Sequence, residues 1–247
     1  SDPNTYLIII KYDEAMSNNI ISERISGVIN SVEMGTSNPS PELDMTSTTT
    51  LNDFVDLVKT NYPADKYAFI FWSHSDGWRS STKGISSSND GTMTNNQMAT
   101  TLNGKGIDIV AFDTCQQGSI ETIWAFKNES DIRYLIGSPE YTPGDGWNYK
   151  TFLENFYNSY RRAADLGVAA VKSFGANYNN YFSQDSTLLV YDLNQFNNTT
   201  LQNFFTYINS NQASEKTIFD NVSYFSGADF KDFYEYANNS GYTSKSA

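Results

Sequence analysis

The stretch Ile107-Asp108-Ile109-Val110-Ala111-Phe112-Asp113-Thr114-Cys115-Gln116-Gln117-Gly118 decides the reading of this chain: a short apolar run ends in its one cysteine. A continuous apolar run of that length, bounded by turn residues, reads as a strand buried on both faces, the habit of parallel sheets. A second run, Tyr67 to Trp72, has the same character and ends just before His74, the one histidine. Reactive groups in open α/β sheets collect where strands end and loops begin, so a thiol and an imidazole so placed point to a thiol hydrolase. About one β-loop-α-β unit separates them, which fits neighbouring parallel strands. A lone Cys is otherwise an inert buried hydrophobe, and the strand-end placement tells against that reading here.

Outward from this pair, Thr5 to Tyr12 is rich in Ile and reads as an opening central strand, and Ile21, Ile25, Val28, Ile29 and Val32 recur at helical spacing. After a Pro-containing turn at Ser37 to Pro41, Thr48 to Thr50 offers an N-cap for a helix with the stripe Leu51, Phe54, Val55 and Val58. Arg79 to Gly91 is polar and aperiodic, which predicts a long exposed loop behind the histidine. Asn95 to Leu102 predicts a short helix; Ile120, Ile123 and Trp124 begin another, and Tyr134 to Gly137 is a strand. This β-α-β-α-β order predicts an α/β fold with a mostly parallel sheet and helices on both faces. Ala163 to Val171 reads as a helix and Thr187 to Tyr191 as a strand. Leu201, Phe204, Phe205 and Ile208 form a core stripe, as do Phe230, Phe233, Tyr234 and Ala237. With no internal repeat and no long linker, residues 1–247 are expected to form a single domain.

Composition narrows the function. A net charge of -12 and a pI near 4.4 disfavour nucleic acid and anionic membranes, which need clustered Lys and Arg. A basic or neutral substrate approaches such a surface more easily. One Cys excludes an intrachain disulfide, and one His with one Cys is too few soft ligands for a zinc site. No Walker-type or dinucleotide glycine pattern follows the first strand. Asp229, Asp232 and Glu235 read as a solvated helix face without calcium-loop spacing; no cofactor is expected, and calcium is left open. No run approaches the roughly 18 apolar residues of a membrane span. Abundant Asn, Ser, Thr and Tyr with few Lys suit an exported bacterial protein, periplasmic, cell-surface or secreted, with any export signal already removed.

Two motifs carry the chemistry. In Phe71-Trp72-Ser73-His74-Ser75-Asp76-Gly77-Trp78 a strand ends in His and turns through Gly, so the imidazole reaches the cleft where it protonates a departing amine. Asp76 could orient that imidazole, but Ser-Asp-Gly turn chemistry explains it equally well. In Phe112 to Gly118 a thiol sits between a strand end and a helix start, where backbone N–H groups and the helix dipole favour a thiolate. With Tyr134-Leu-Ile-Gly-Ser-Pro-Glu-Tyr-Thr-Pro-Gly-Asp-Gly-Trp147, Thr187-Leu-Leu-Val-Tyr-Asp192 and Ala228-Asp-Phe-Lys-Asp-Phe233, these motifs resemble the clostripain-like cysteine peptidases, in the larger group of caspases, legumains and gingipains. The resemblance runs from about Tyr67 to Phe233.

The resemblance implies a caspase-like three-layer α/β/α sandwich and an endopeptidase acting on protein or peptide substrates through a Cys-His dyad. Cys115 is then the nucleophile, and His74 orients and protonates the leaving amine. Backbone N–H groups of Ser75 and Cys115 hold the oxyanion. The family commonly has Gly after the His, and many of the larger group have Ala before the Cys, where this chain has Ser75 and Thr114. If a positive φ is required there, Ser costs about 1–2 kcal/mol; if only an N–H is required, Ser serves. The family's preference for Arg or Lys before the scissile bond implies an acidic pocket, and Asp113, Thr142 and Asp145 match its positions. Asp145 reads equally as a turn residue of Pro-Gly-Asp-Gly, whereas Asp113 beside a thiol would otherwise raise the thiol's pKa without benefit. Self-processing after a basic residue between the dyad members is expected at Arg79 or Lys83, with Lys105 a further basic residue there. The competing reading is a catalytically impaired caspase-like homologue that serves as a binding module, motivated by Ser75 and Thr114.

Overall fold

The computed structural model describes residues 6–11, 20–25, 28–33, 44–75, 77, 84–87, 91–178, 187–222, 235, 236 and 239, with those before 34 and residues 86–87 as backbone alone. Contacts divide the chain into two compact units, Ser1–Asp65 with Ser87–Asp90, and Lys66–Ser86 with Gly91–Ala247.

In the first unit β1 (Tyr6–Lys11), β2 (Ile20–Ile25) and β3 (Val28–Glu33) form an antiparallel meander, with Tyr6 opposite Ile25 and Ile25 opposite Val28. Two expectations are corrected here. The opening strand joins this meander rather than the central parallel sheet, and the segment from Ile21 to Val32 is two strands rather than a helix. A separation of four, as between Ile21 and Ile25 or Val28 and Val32, satisfies a period of 2 as well as 3.6. The β-branched content and the Ser26-Gly27 dipeptide, a two-residue hairpin signal, favour strands.

Helix α1 (Thr48–Asn61) follows, with Leu51 and Val55 buried as the stripe predicts. Its cap is Ser47, not the Thr run: Ser47 Oγ accepts from the Thr49 amide at 3.2 Å. Asp44 Oδ1 takes the Thr46 amide at 2.7 Å, a local turn that brings the chain into the helix before the first Thr.

The second unit runs β4 (Ala68–Trp72), β5 (His74–Ser75), β6 (Gly84–Ser87), β7 (Gly91–Thr94), α2 (Asn95–Leu102), β8 (Ile109–Asp113), α3 (Ile120–Glu129), β9 (Tyr134–Gly137), α4 (Tyr149–Tyr157), α5 (Ala163–Tyr178), β10 (Leu189–Asp192), α6 (Asn198–Ser210) and α7 (Gln212–Asp220). The main sheet has the order β10-β9-β8-β4; β4, β8 and β9 are parallel and β10 is antiparallel to β9. Period-2 alternation along β8 supplies both layers of core. Ile109 and Ala111 pack with Phe152 of α4 and Leu166, Ala169, Ala170 and Phe174 of α5. Phe112, on the other face, meets Phe71 of β4 at 5.3 Å and Phe126 of α3 at 5.6 Å between ring centres. Each fully buried Phe of this kind contributes roughly 1.5–3 kcal/mol of apolar transfer. Helices on both faces of a mostly parallel sheet make an α/β/α sandwich.

The expected loop from Arg79 to Gly91 is also corrected, because it contains β6. Ile85, its one large apolar residue, is buried opposite Ser75. Gly84 lies so close to the Met93–Thr94 backbone that a Cβ would sit 1.9 Å from the Met93 carbonyl oxygen. The small sheet β5-β6-β7 thus anchors the histidine segment. Helices α4 and α7 were not read from sequence, and α5 extends past Val171 to Tyr178. The late stripe of Phe230, Phe233, Tyr234 and Ala237 lies wholly outside the described residues; Tyr236, from the same stretch, is buried against Phe204 and Phe219 and donates to Glu215 at 2.7 Å.

Candidate active site

Parallel register sets the geometry. Asp108 accepts the Tyr67 amide at 3.0 Å and donates its own amide to the Tyr67 carbonyl at 2.9 Å, which aligns β4 with β8 so that Trp72 lies opposite Asp113. His74 and Cys115 each follow that pair by two residues, leaving neighbouring strands at the same height. His74 is exposed and opens β5, paired with Ser86; Cys115 is half-buried.

The chain around Cys115 is held by the loop that leaves β9. The Gln116 amide donates to Glu140 O at 2.9 Å and the Gly118 amide to Ser138 O at 2.8 Å. Thr142 Oγ1 donates to Thr114 O at 2.8 Å, and the Thr142 amide to Cys115 Sγ at 3.3 Å. Gly118 and Gly137 permit this approach: a Cβ on either would lie 2.7 Å from backbone atoms of the other segment. Gln116 takes the left-handed region at φ 59, a conformation that costs a side chain about 1 kcal/mol. An amide aimed at sulfur favours the thiolate. The sequence suggests backbone N–H groups and the helix dipole for that role; the backbone N–H at Sγ is that of Thr142, whereas α3 starts only at Ile120, beyond a full turn of intervening chain.

Ser75 is buried in extended backbone. Among the described non-glycine residues only Gln116 and Arg161 have positive φ, so the position after His74 makes no demand for glycine. Its hydroxyl donates to Gly84 O at 2.8 Å and accepts from the Gly77 amide at 3.1 Å and from Gln117 Nε2 at 2.6 Å. Sequence reasoning passed over Gln117, which is fully buried. Gln is ordinarily a surface residue, and only knowledge of its partner would have marked it.

Asp113 is 3% exposed. Its Oδ2 accepts from the Trp147 amide and the Tyr149 hydroxyl, both at 2.9 Å, while Oδ1 is buried without a hydrogen-bond partner. Burial raises its pKa above the ordinary carboxylate value and outweighs those two donors. Tyr149 is pushed well above the usual phenol range by its own burial, then by the Asp113 charge. Asp145 is exposed in the turn that the Gly146 amide closes onto Pro143 O at 2.9 Å. Tyr178, beside that turn, has its hydroxyl pKa raised first by burial and further by the charges of Asp145 and Asp113. Tyr178 donates to Gly146 O there, and the exposed Trp72 ring approaches Gly146 from β4. Tyr149 and Trp72 went unassigned in the sequence; their lateral alignment with Asp113 depends on strand register and on the turn before α4. Arg79, Lys83 and Asp76 lie outside the described residues, and Lys105 sits in the turn after α2. Among the described residues no group of three His, Cys, Asp or Glu side chains could hold a metal, and no helix is long and apolar enough to cross a membrane.

Known proteins resemble this chain in sequence profile and in fold. The profile that describes the clostripain family, peptidase C11, matches residues 1–245. No curated protein matches the chain. Among solved structures, an inactive zymogen C11 protease from Parabacteroides distasonis superposes with a TM-score of 0.68 at 22% identity, covering 96% of this chain and 67% of that one. The secreted C11 cysteine protease iotapain from Bacteroides thetaiotaomicron gives 0.70 at 17% identity, covering 95% and 69%. A secreted C11 cysteine protease of the same organism, in complex with an irreversible peptide inhibitor, gives 0.58 at 21%, covering 76% and 56%. At such identities these structures establish the shared fold.

Proposed function

The chain belongs to the clostripain family of cysteine peptidases, and on that premise we propose that it hydrolyses peptide bonds after Arg or Lys with Cys115 and His74 as its dyad. The Cys115 thiolate attacks the scissile carbonyl carbon, and the carbonyl electron pair moves onto oxygen, held by the amides of Ser75 and Cys115. His74 gives its proton to the leaving amine as the C–N bond breaks. Water then attacks the thioester, releasing the acid and restoring the thiol. The observation that carries this reading is the Thr142 amide at Cys115 Sγ, on a strand end level with His74. Asp113 Oδ1 is the oxygen that a P1 guanidinium or ammonium would pair, with Thr142 and Asp145 bordering the same pocket; a buried carboxylate left unpaired by any neutral side chain selects strongly for a cation.

Self-processing after Arg79 or Lys83 belongs to this reading, and one similar structure is of an inactive zymogen. So does export, since similar structures include secreted proteases. One experiment reads the nucleophile and the processing together: intact-mass and peptide-map spectrometry after treatment with an arginyl chloromethyl ketone. A single adduct on Cys115, in a chain cut after Arg79 or Lys83, is the expected result. An adduct elsewhere would remove Cys115 from the mechanism, and an active chain that stays intact would remove the processing step.

A further inference from the structure

Ser75 and Gln117 lie on the two segments that carry the dyad, one residue past His74 and two past Cys115. Gln117 Nε2 donates to Ser75 Oγ at 2.6 Å. Each side chain is held from behind. Ser75 Oγ is fixed to β6 through Gly84 O. Gln117 Oε1 accepts from Thr122 Oγ1 at 3.1 Å, and that hydroxyl in turn meets Ser119 Oγ at 3.1 Å and Asn95 Nδ2 at 2.9 Å. A continuous buried chain of hydrogen bonds therefore runs from α2 through the first turn of α3, across the gap between β8 and β4, to the histidine segment. Both ends of its middle bond are tied by further hydrogen bonds, Ser75 Oγ to Gly84 O and the Gly77 amide, and Gln117 Oε1 to Thr122 Oγ1.

Resting on the proposed dyad, we infer that the Ser75–Gln117 hydrogen bond is a clasp that fixes the position of His74 relative to Cys115, making both side chains positioning residues for catalysis. Ser75 in place of the family's usual glycine is then a gain of a contact rather than a sign of impairment, since glycine offers Gln117 no hydroxyl. Buried bonds of this kind hold one geometry against small displacements, and a misplacement of about 1 Å between reacting groups can cost on the order of 10²-fold in rate.

The test compares Ser75→Ala, Gln117→Met, their double variant and Ser75→Thr with wild type on an arginyl fluorogenic reporter. Each single loss is expected to lower kcat by roughly 10- to 100-fold with little change in KM. The double variant should be no worse than the poorer single, because both remove one bond, and Ser75→Thr, which keeps the hydroxyl, should retain most of the rate. A lowered Tm with unchanged kcat per folded molecule, or losses that multiply in the double variant, would overturn the clasp. Should Ser75→Ala not fold, Gln117→Met carries the test, since Thr122 Oγ1 keeps Ser119 and Asn95 as partners. Should wild type hydrolyse no reporter, the dyad reading falls, and alkylation of Cys115 by iodoacetamide decides the clasp alone: a changed rate in both folded singles supports it, and wild-type rates in both contradict it.

Discussion

Cys115→Ala is expected to abolish hydrolysis of arginyl and lysyl reporters, by roughly 10⁴-fold or more, while leaving the fold intact. The magnitude follows from the role: without sulfur no acyl-enzyme forms, and neither the oxyanion amides nor His74 supplies a nucleophile. The variant should fold because Cys115 is half-buried and its side chain meets the loop after β9 through the Thr142 backbone. Losing the acceptor for that amide costs about 1 kcal/mol, whereas the bonds of Gln116, Gly118 and Thr142 Oγ1 that hold the loop do not involve sulfur. Activity and Tm measured on the same preparation should therefore separate widely.

Asp113→Asn is expected to lower kcat/KM for arginyl and lysyl reporters by roughly 10³-fold, while alkylation of Cys115 is not slowed. The Asn carbonyl can still accept from the Trp147 amide and the Tyr149 hydroxyl, so the turn before α4 keeps its anchor; what disappears is the charge. The pH dependence has a definite sign. Burial raises the Asp113 pKa above 3.8, so the free enzyme takes up this proton at a higher pH than an exposed Asp, and productive binding of a P1 cation is lost as pH falls through that raised value. For stability the sign is opposite. The folded state binds the proton more tightly than the unfolded chain, so native stability rises as pH falls through the raised pKa toward 3.8 and drops as pH rises through it. The difference in stability between wild type and Asp113→Asn, from denaturant titrations across that window, should carry this trend. Equal pH slopes would place the charged carboxylate in a solvated setting.

The strands that carry the dyad were legible because β4 and β8 are continuous apolar runs; β8 is buried throughout as expected, whereas β4, at the end of the described sheet, buries only Phe71. Helix α2 was legible: Thr94 and Gln97 form a capping box at its start, and Gly104 and Gly106 follow its end. The meander of the first unit was misread because apolar residues four apart fit both periods, and the two-residue turn signal between β2 and β3 was outweighed. Strand β6 was missed because a single Ile85 among Ser and Gly has no periodicity; its partner Ser75 and the close approach of Gly84 to β7 make it a strand. Within the candidate site, residue types at strand ends pointed to Cys115 and His74, and the family resemblance to Asp113, Thr142 and Asp145. The contacts of Thr142, Tyr149 and Gln117 depend on how loops from β9 and the turn before α4 fold back over the sheet, and spacing along the chain does not encode that.

The most direct measurement is initial-rate hydrolysis by wild type of a fluorogenic panel with Arg, Lys, Asp, Asn or Leu before the reporter. The account predicts turnover of the Arg or Lys reporter, with the others near background. A preference for Asp or Asn would contradict the pocket built on Asp113, and no turnover of any reporter by folded protein would contradict the peptidase assignment of the Cys115–His74 site.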